Sequence, residues 1–455
     1  MTRSNHLKGY KTLFILVFLI TVRLFSPFSA APDFPASPAL SIPNGYAESD
    51  FSQVRRDPSV IPKGKQVKNR ADEDDLEELM ALSYLQGYNP ATEMANVTRY
   101  DKNSAFPGYN VYASAHALGA YLMDMEGNVL HQWRYDFTGS KKIGPKEMWR
   151  SYWGSLHLFG NGDLLVLFNL KGLMKLDKHS NLLWFYKTAC HHHLFVDDTG
   201  TIYALSQNKV PISEQDNIRD NSIIVLSADG KLLKKVSLYG LFERLSDDTY
   251  LREIRKMARD DDASIKEGWG KLPGFVRGDV FHANSLEILD GKLAQHSPIF
   301  KKGNALLSLR HLGVVMIVDL EAEKIVWIEG PGIWNKGQHD AHLLDDGNIL
   351  LFDNYFGQEE SRVIEFDPLT KKIVWEYRDP EGRFFSHSSG RCSRLPNGNT
   401  LIVETVNGRI FEVTADQRIV WEFYNPHRVG KNNELMALIH CAIRLRPDFP
   451  LDWLK

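Results

Sequence analysis

A unit of about fifty residues recurs along most of this chain, and that repeat limits the possible folds more than any other feature. Its most visible mark is a short apolar strand carrying a tryptophan: GNVLHQW (127–133), SNLLWFY (180–186), EKIVWIEG (323–330), KKIVWEYRDP (371–380) and QRIVWEFYNP (417–426). Upstream stands a polar turn followed by β-formers, as in FGNGDLLVLF (159–168), VDDTGTIYAL (196–205), LDDGNILLF (344–352) and LPNGNTLIV (395–403). Asn-Gly and Asp-Gly between apolar runs mark hairpins. Further strands such as VVMIVD (314–319) and RVIEFD (362–367) lie between the two, so the unit is four short antiparallel strands. Trp327, Trp375 and Trp421 stand 48 and 46 residues apart, the length of one propeller blade.

The expected fold is therefore all-β, a six-bladed β-propeller with blades near 109–136, 153–188, 191–238, 281–330, 337–380 and 386–426. The first blade is one strand short, and LIHCAIRLRPD (438–448) is left over at the far end. Joining the two closes the ring by the C-terminal strand and removes an open sheet edge. The charged stretch at 241–270 has a helical period and is expected as an insertion between the third and fourth blades.

Ahead of the propeller, assigned to 97–455, residues 1–31 read as a signal peptide or N-terminal anchor: Arg3, Lys8 and Lys11, an apolar run from Leu13 to Val22, then Ser29, Ala30 and Ala31. The run is short for a membrane span, so a cleaved signal is preferred. Either way the protein is expected outside the cytoplasm, periplasmic or extracellular, with membrane contact only if the segment stays uncleaved. Residues 32–96 read as a linker with a short amphipathic helix on Leu76, Leu79, Met80, Leu82 and Leu85. A net charge of -3 supplies no basic excess for nucleic acid. Three cysteines permit one disulfide and leave one thiol.

Histidines recur with the blades. His157, the triplet His191, His192 and His193, then His282, His339 with His342, His387 and His440 stand at or near the first strand of each unit. First strands line the channel of a propeller, so these imidazoles are expected to converge. Asn284 follows His282, Gln338 precedes His339, Arg391 lies beyond His387, and Arg310 with His311 ends another strand. Such a donor-rich, cationic cavity suits a tetrahedral oxyanion or a phenolate. Two other readings stay open: a copper or zinc site using Cys190, His191, His192 and His193, or a propeller that binds a partner without chemistry.

The segments HANSLEI (282–288), LSLRHLGVVMIVD (307–319), GQHDAHLLDDGNILLFDN (337–354) and SRVIEFD (361–367) resemble the arylsulfotransferase family of exported six-bladed propellers, with a likeness running from about residue 100 to 448. The resemblance implies transfer of a sulfuryl group from an aryl sulfate to a phenol through a sulfurylated histidine, without nucleotide donor or other cofactor. It implies that His282 and His339 hold the phenol and the sulfuryl group. At two places the sequence departs from the family. A family arginine falls on Gln358, which with Gln338, Asn284, His192 and His193 makes up the expected substrate-binding set. The family's nucleophilic histidine falls within 406–413, where there is none. His387, taken as lying on the inner strand of that blade, and His339 are the candidate nucleophiles, with His282, Arg310 and Arg391 as charge stabilisers.

Overall fold

The computed structural model describes residues 89–135, 152–214, 216–266, 278–357 and 359–455. The stretch expected as a signal or anchor, most of the stretch expected as a linker with a short helix, and Gln358 lie outside the described residues. No helix among those described is long and apolar enough to cross a membrane.

Each repeat unit forms one antiparallel sheet, and the six sheets make a six-bladed β-propeller. The first strands of blades 2 to 6 are Trp153–Leu158, Cys190–Val196, Ala283–Ile288, His339–Leu343 and Arg391–Arg394. That of blade 1 is Ile439–Leu445, which pairs with Tyr109–Ser114 from the other end of the described chain. These six inner strands touch one another in cyclic order around the axis. Closure by the C-terminal strand is thus observed as expected. Blade 6 carries in addition a fifth, outermost strand, Asn96–Tyr100, which the repeat does not reveal because it lies outside the periodic units.

Strand side chains alternate between the two faces of a sheet, and in a propeller both faces are covered. Along Asn304–Leu309 in blade 4, Ala305, Leu307 and Leu309 pack toward blade 3, while Leu306 packs toward blade 5. The outcome is one apolar cluster at each of the six blade interfaces among the described residues. The three cysteines are buried and unbridged. Cys392 and Cys441 lie on adjacent inner strands without forming the disulfide that composition allowed.

The repeated tryptophan has a physical reason. It sits on the fourth strand of the repeat and reaches to a turn of the next blade: Trp133 Nε1 donates to Gly162 O at 3.1 Å, Trp375 to Ala415 O at 2.9 Å and Trp421 to Met125 O at 2.8 Å. Trp184 lies flat on Gly230, where a Cβ would come within 2.8 Å of the indole. The last of the three bonds crosses the seam from blade 6 to blade 1. Trp421→Phe strands the buried Met125 carbonyl and is expected to cost about 1–3 kcal/mol in denaturant melts, whereas Trp375→Phe, at an exposed bond, costs less than about 1 kcal/mol. Equal losses from both would contradict the latch.

Between blades 3 and 4 the expected insertion forms two helices, α1 (Leu238–Glu243) and α2 (Thr249–Lys266). Leu241, Phe242, Leu251, Ile254 and Ala258 join the apolar cluster of that interface. Phe242 stacks on Phe281 with ring centres 5.7 Å apart, which braces the loop that carries His282.

Candidate active site

The inner strands of blades 3 to 6 begin with the same irregularity. His192, His282, Asp340 and Ser389 all have positive φ, between 48° and 57°, in the left-handed region that L-residues with a Cβ rarely adopt. The pairing of blades 3, 4 and 5 shifts register at these points. A bulge breaks the strict alternation of side chains and re-aims them, so consecutive residues fan out around the axis. Strain of about 1–3 kcal/mol at such a position persists only where the surroundings hold it, typically at functional sites.

At the mouth of the channel, His192 Nε2 lies 3.1 Å from His282 Nε2, and the opposite nitrogen of His282, Nδ1, lies 2.5 Å from Asp279 Oδ2. Burial resists ionisation of Asp279, but the His282 contact and then His311 outweigh it and hold the carboxyl below the usual range. His311 donates from Nδ1 to Asp279 O and accepts from Arg310 Nη1 at 3.0 Å on Nε2, which fixes its neutral tautomer; burial, then His282, takes its pKa down to about 3.

His339 is fixed in the same manner. Its Nδ1 donates to Asn354 Oδ1 at 2.8 Å and to Gly337 O at 2.9 Å. Asn354 cannot be flipped, because its Nδ2 donates to Ser386 O and Ser389 O. The His339 Nε2 therefore carries a lone pair, met by the Ser389 amide at 3.3 Å. Burial, followed by the nearby Arg310, pushes the imidazole well below its ordinary pKa, so it is neutral at physiological pH.

Deeper in the channel Arg391 crosses between blades. Its Nε donates to His440 O at 3.0 Å, and its Nη2 to Gly154 O at 3.0 Å and His192 O at 2.8 Å, which ties blade 6 to blades 1, 2 and 3. Its Nη1 faces Asp340 Oδ1 at 3.9 Å. Below it, His342 lies between Asp340 Oδ2 at 3.1 Å and Glu287 Oε2 at 3.3 Å. Burial opposes charge on this ring, but the two carboxylates prevail and raise its pKa to about 10. Tyr152, Gly154, His192, Asn284, His339, Asp340, Ser389, Gly390, Arg391 and His440 enclose a pocket with about 20 Å³ of free space, room for about one water molecule.

Of the expected histidines, His192, His282 and His339 converge at the mouth. His193 turns the other way, toward Asp340 at 4.0 Å. His387 stands on the loop before the inner strand of blade 6, not on that strand, and its carbonyl accepts the Tyr355 hydroxyl at 2.6 Å. Asn284 reaches the pocket and bonds Gln338 O at 2.8 Å. Gln338 itself points into blade 4, with Nε2 donating to Leu309 O and Val314 O, each at 3.1 Å. Arg310 stands beside His311; Arg391 spends three of its bonds on backbone carbonyls.

The Cys-His-His-His run does not form a metal site. Cys190 is buried among apolar residues with Sγ toward Phe168 O, and the rings of His191 and His192 stand at 89°. The bulge that scatters the triplet is invisible in a strand pattern. Asp279, Asn354 and Tyr355 are not marked by the repeat pattern; the one local signal is the three-residue spacing from Asp279 to His282, and His311, expected beside Arg310 at the end of a strand, stands there.

Three other histidines make a prediction about pH. Burial followed by a cationic or imidazole neighbour takes His116 down to about 4 beside His427, His157 to about 4 beside Lys175, and His440 to about 3 beside Arg391. Unfolded histidine titrates near 6.5, so between about pH 6.5 and 4 the unfolded chain binds more protons than the folded one. The stability these residues contribute is complete above that window and is lost as pH falls through it, by about 1 kcal/mol or more for each after allowance for partial exposure. Melting temperatures should fall steeply from pH 6.5 to 4, and His157→Gln should flatten the slope. A flat profile in the wild type would contradict it.

A sequence model described as arylsulfotransferase (ASST) matches residues 155–426 of the chain. No curated protein matches it. Among solved structures, a protein of unknown function from Bacteroides caccae superposes with a TM-score of 0.47 at 13% identity, over 74% of this chain and 100% of its own. A streptogramin B lyase gives 0.41 at 11% identity, over 78% and 95%. Virginiamycin B lyase from Staphylococcus aureus gives 0.34 at 10%, over 63% and 72%.

Proposed function

We propose, since this chain belongs to the arylsulfotransferase family, that it moves a sulfuryl group from an aryl sulfate to a phenol, with His339 as the group that carries it. The observation that supports this most is the tautomer of His339: a neutral ring that lines the pocket, held at Nδ1 by Asn354 and Gly337, with the Nε2 lone pair met by the Ser389 amide at 3.3 Å, a contact the attack on sulfur replaces. A neutral imidazole is a competent nucleophile once oriented.

In the first half-reaction His339 Nε2 attacks sulfur, the N–S bond forms, and the S–O bond to the aryl group breaks. Charge on the sulfuryl oxygens is met by Arg310, as suits a loose transition state stabilised by position and positive donors. The departing phenolate oxygen takes a proton from His282, which Asp279 orients and His192 adjoins. In the second half-reaction an acceptor phenol attacks sulfur and returns its proton to His282, and the N–S bond breaks. No nucleotide takes part, which agrees with the proposed placement of the protein outside the cytoplasm.

Purified protein mixed with 4-nitrophenyl sulfate should release a burst of one nitrophenol per chain and keep one sulfuryl group, found by peptide mass spectrometry on His339. A phenol should then discharge it. Absence of both burst and adduct with several aryl sulfates would leave the propeller as a binding module and end this reading.

A further inference from the structure

We propose that the channel below Arg391 is a binding site for one first-row divalent cation, held by the Nε2 atoms of His193 and His342 and by the carboxylate of Asp340. This site lies further along the inner strands than the His192, His282 and His339 group and does not depend on the sulfuryl-transfer reading. One ligand atom from each of the three residues lies within 4.8 Å of the others. His342 Nε2 is 3.1 Å from Asp340 Oδ2, and His193 Nε2 is 4.0 Å from Asp340 Oδ1. Bonds of about 2.0–2.2 Å to a common ion bring ligand atoms to about 3–4 Å of each other, so a small contraction is needed, and the ion replaces the proton that His342 Nε2 shares with Asp340, which passes to solvent.

Two further observations point to a missing ligand. Asp340 Oδ1 is buried without a hydrogen-bond partner, on a side chain only 4% exposed. Buried polar atoms of this kind are rare and call for an occupant. The surrounding contacts are those that orient metal ligands. The far nitrogen of His342 faces Glu287 Oε2, which is itself fixed by the Leu343 amide at 2.9 Å, giving the carboxylate–histidine pair that commonly backs a metal. The Cys392 amide holds Asp340 Oδ2 at 2.8 Å.

Two imidazoles and one carboxylate with open positions suit Fe²⁺, Mn²⁺ or Zn²⁺, and the lack of a thiolate in the set disfavours copper(I). Charge sets a limit on affinity. Arg391 Nη1, 3.9 Å from Asp340 Oδ1, repels a cation, and the second carboxylate, Glu287, offsets it.

The test uses the full chain, stripped with EDTA and dialysed separately against Zn²⁺, Mn²⁺ and, without oxygen, Fe²⁺. Elemental analysis should find one ion per chain for at least one metal, and that metal should raise the wild-type melting temperature with concentration. His193→Gln and His342→Gln should each lower affinity by about a hundredfold or more, and Glu287→Gln by about ten- to a hundredfold. Asp279→Asn should keep the full ion, which separates this site from the Asp279, His282 and His311 group at the mouth. If the wild type retains none of the three metals, or His193→Gln and His342→Gln retain it undiminished, the proposal is overturned. The wild-type result and the Glu287→Gln affinity remain informative even if a histidine variant fails to fold.

Discussion

Removing residues 436–455 is expected to leave no stably folded protein, although it takes away only one strand of the ring and a short tail. Ile439–Leu445 is the inner strand of blade 1 and pairs with Tyr109–Ser114. Without it blade 1 loses its place at the axis and the apolar clusters on both its sides are opened. A single residue tests the same seam. Arg444 forms a salt bridge at 2.8 Å with Glu412 of blade 6, both side chains fully buried, and bonds Asn110 Oδ1 at 2.7 Å. Arg444→Ala leaves the Glu412 carboxylate buried and unpaired and is expected to cost about 3–5 kcal/mol. The joint variant Arg444→Met with Glu412→Met should recover much of that loss, because replacing both partners removes the stranded charge. Circular dichroism and urea melts decide. A truncated protein that melts like the whole chain would show that the ring does not depend on its seam.

The second large effect concerns the mouth. His339→Ala should abolish the trapped adduct and reduce transfer by at least about a thousandfold, since the nucleophile and its covalent route both disappear. His282→Gln should slow transfer by about a hundredfold or more, chiefly for donors with poor leaving groups, while leaving adduct detectable. Asn354→Ala should fall between the two, because it frees the His339 tautomer without deleting the ring. His387→Ala, away from the pocket lining, should change the rate by no more than a few fold. If His387→Ala removed the adduct and His339→Ala did not, the roles assigned to the two histidines would be exchanged.

Most of the architecture was legible because it is periodic. Turn glycines, β-formers and the tryptophans recur at one spacing, and each recurrence answers the same need to pack one blade on the next. The orphan strand at 438–448 could be placed by counting. Asn96–Tyr100 could not, since it occurs once and adds to a blade already complete. At the site the sequence located the histidines but not their directions. Alternation would send neighbouring residues to opposite faces, whereas the left-handed residues His192, His282 and Asp340 interrupt it. Hence His193 and Gln338, expected beside the substrate, face elsewhere. Asn354 and Glu287 act only as neighbours of histidines on another strand, His339 and His342, and a partner brought near by folding leaves no mark in a linear pattern.

Blade 1 also sets a timetable. Its middle strands are among the first parts of the propeller to be synthesised, while its innermost strand is nearly the last: Asn110 and Arg444, bonded to each other, are 334 residues apart. Throughout synthesis Tyr109–Ser114 presents an unpaired edge, the kind that invites a wrong strand. Contacts of such long range are slow to form. The ring therefore closes only once Ile439–Leu445 has been made, and until then blade 1 is held open at the axis.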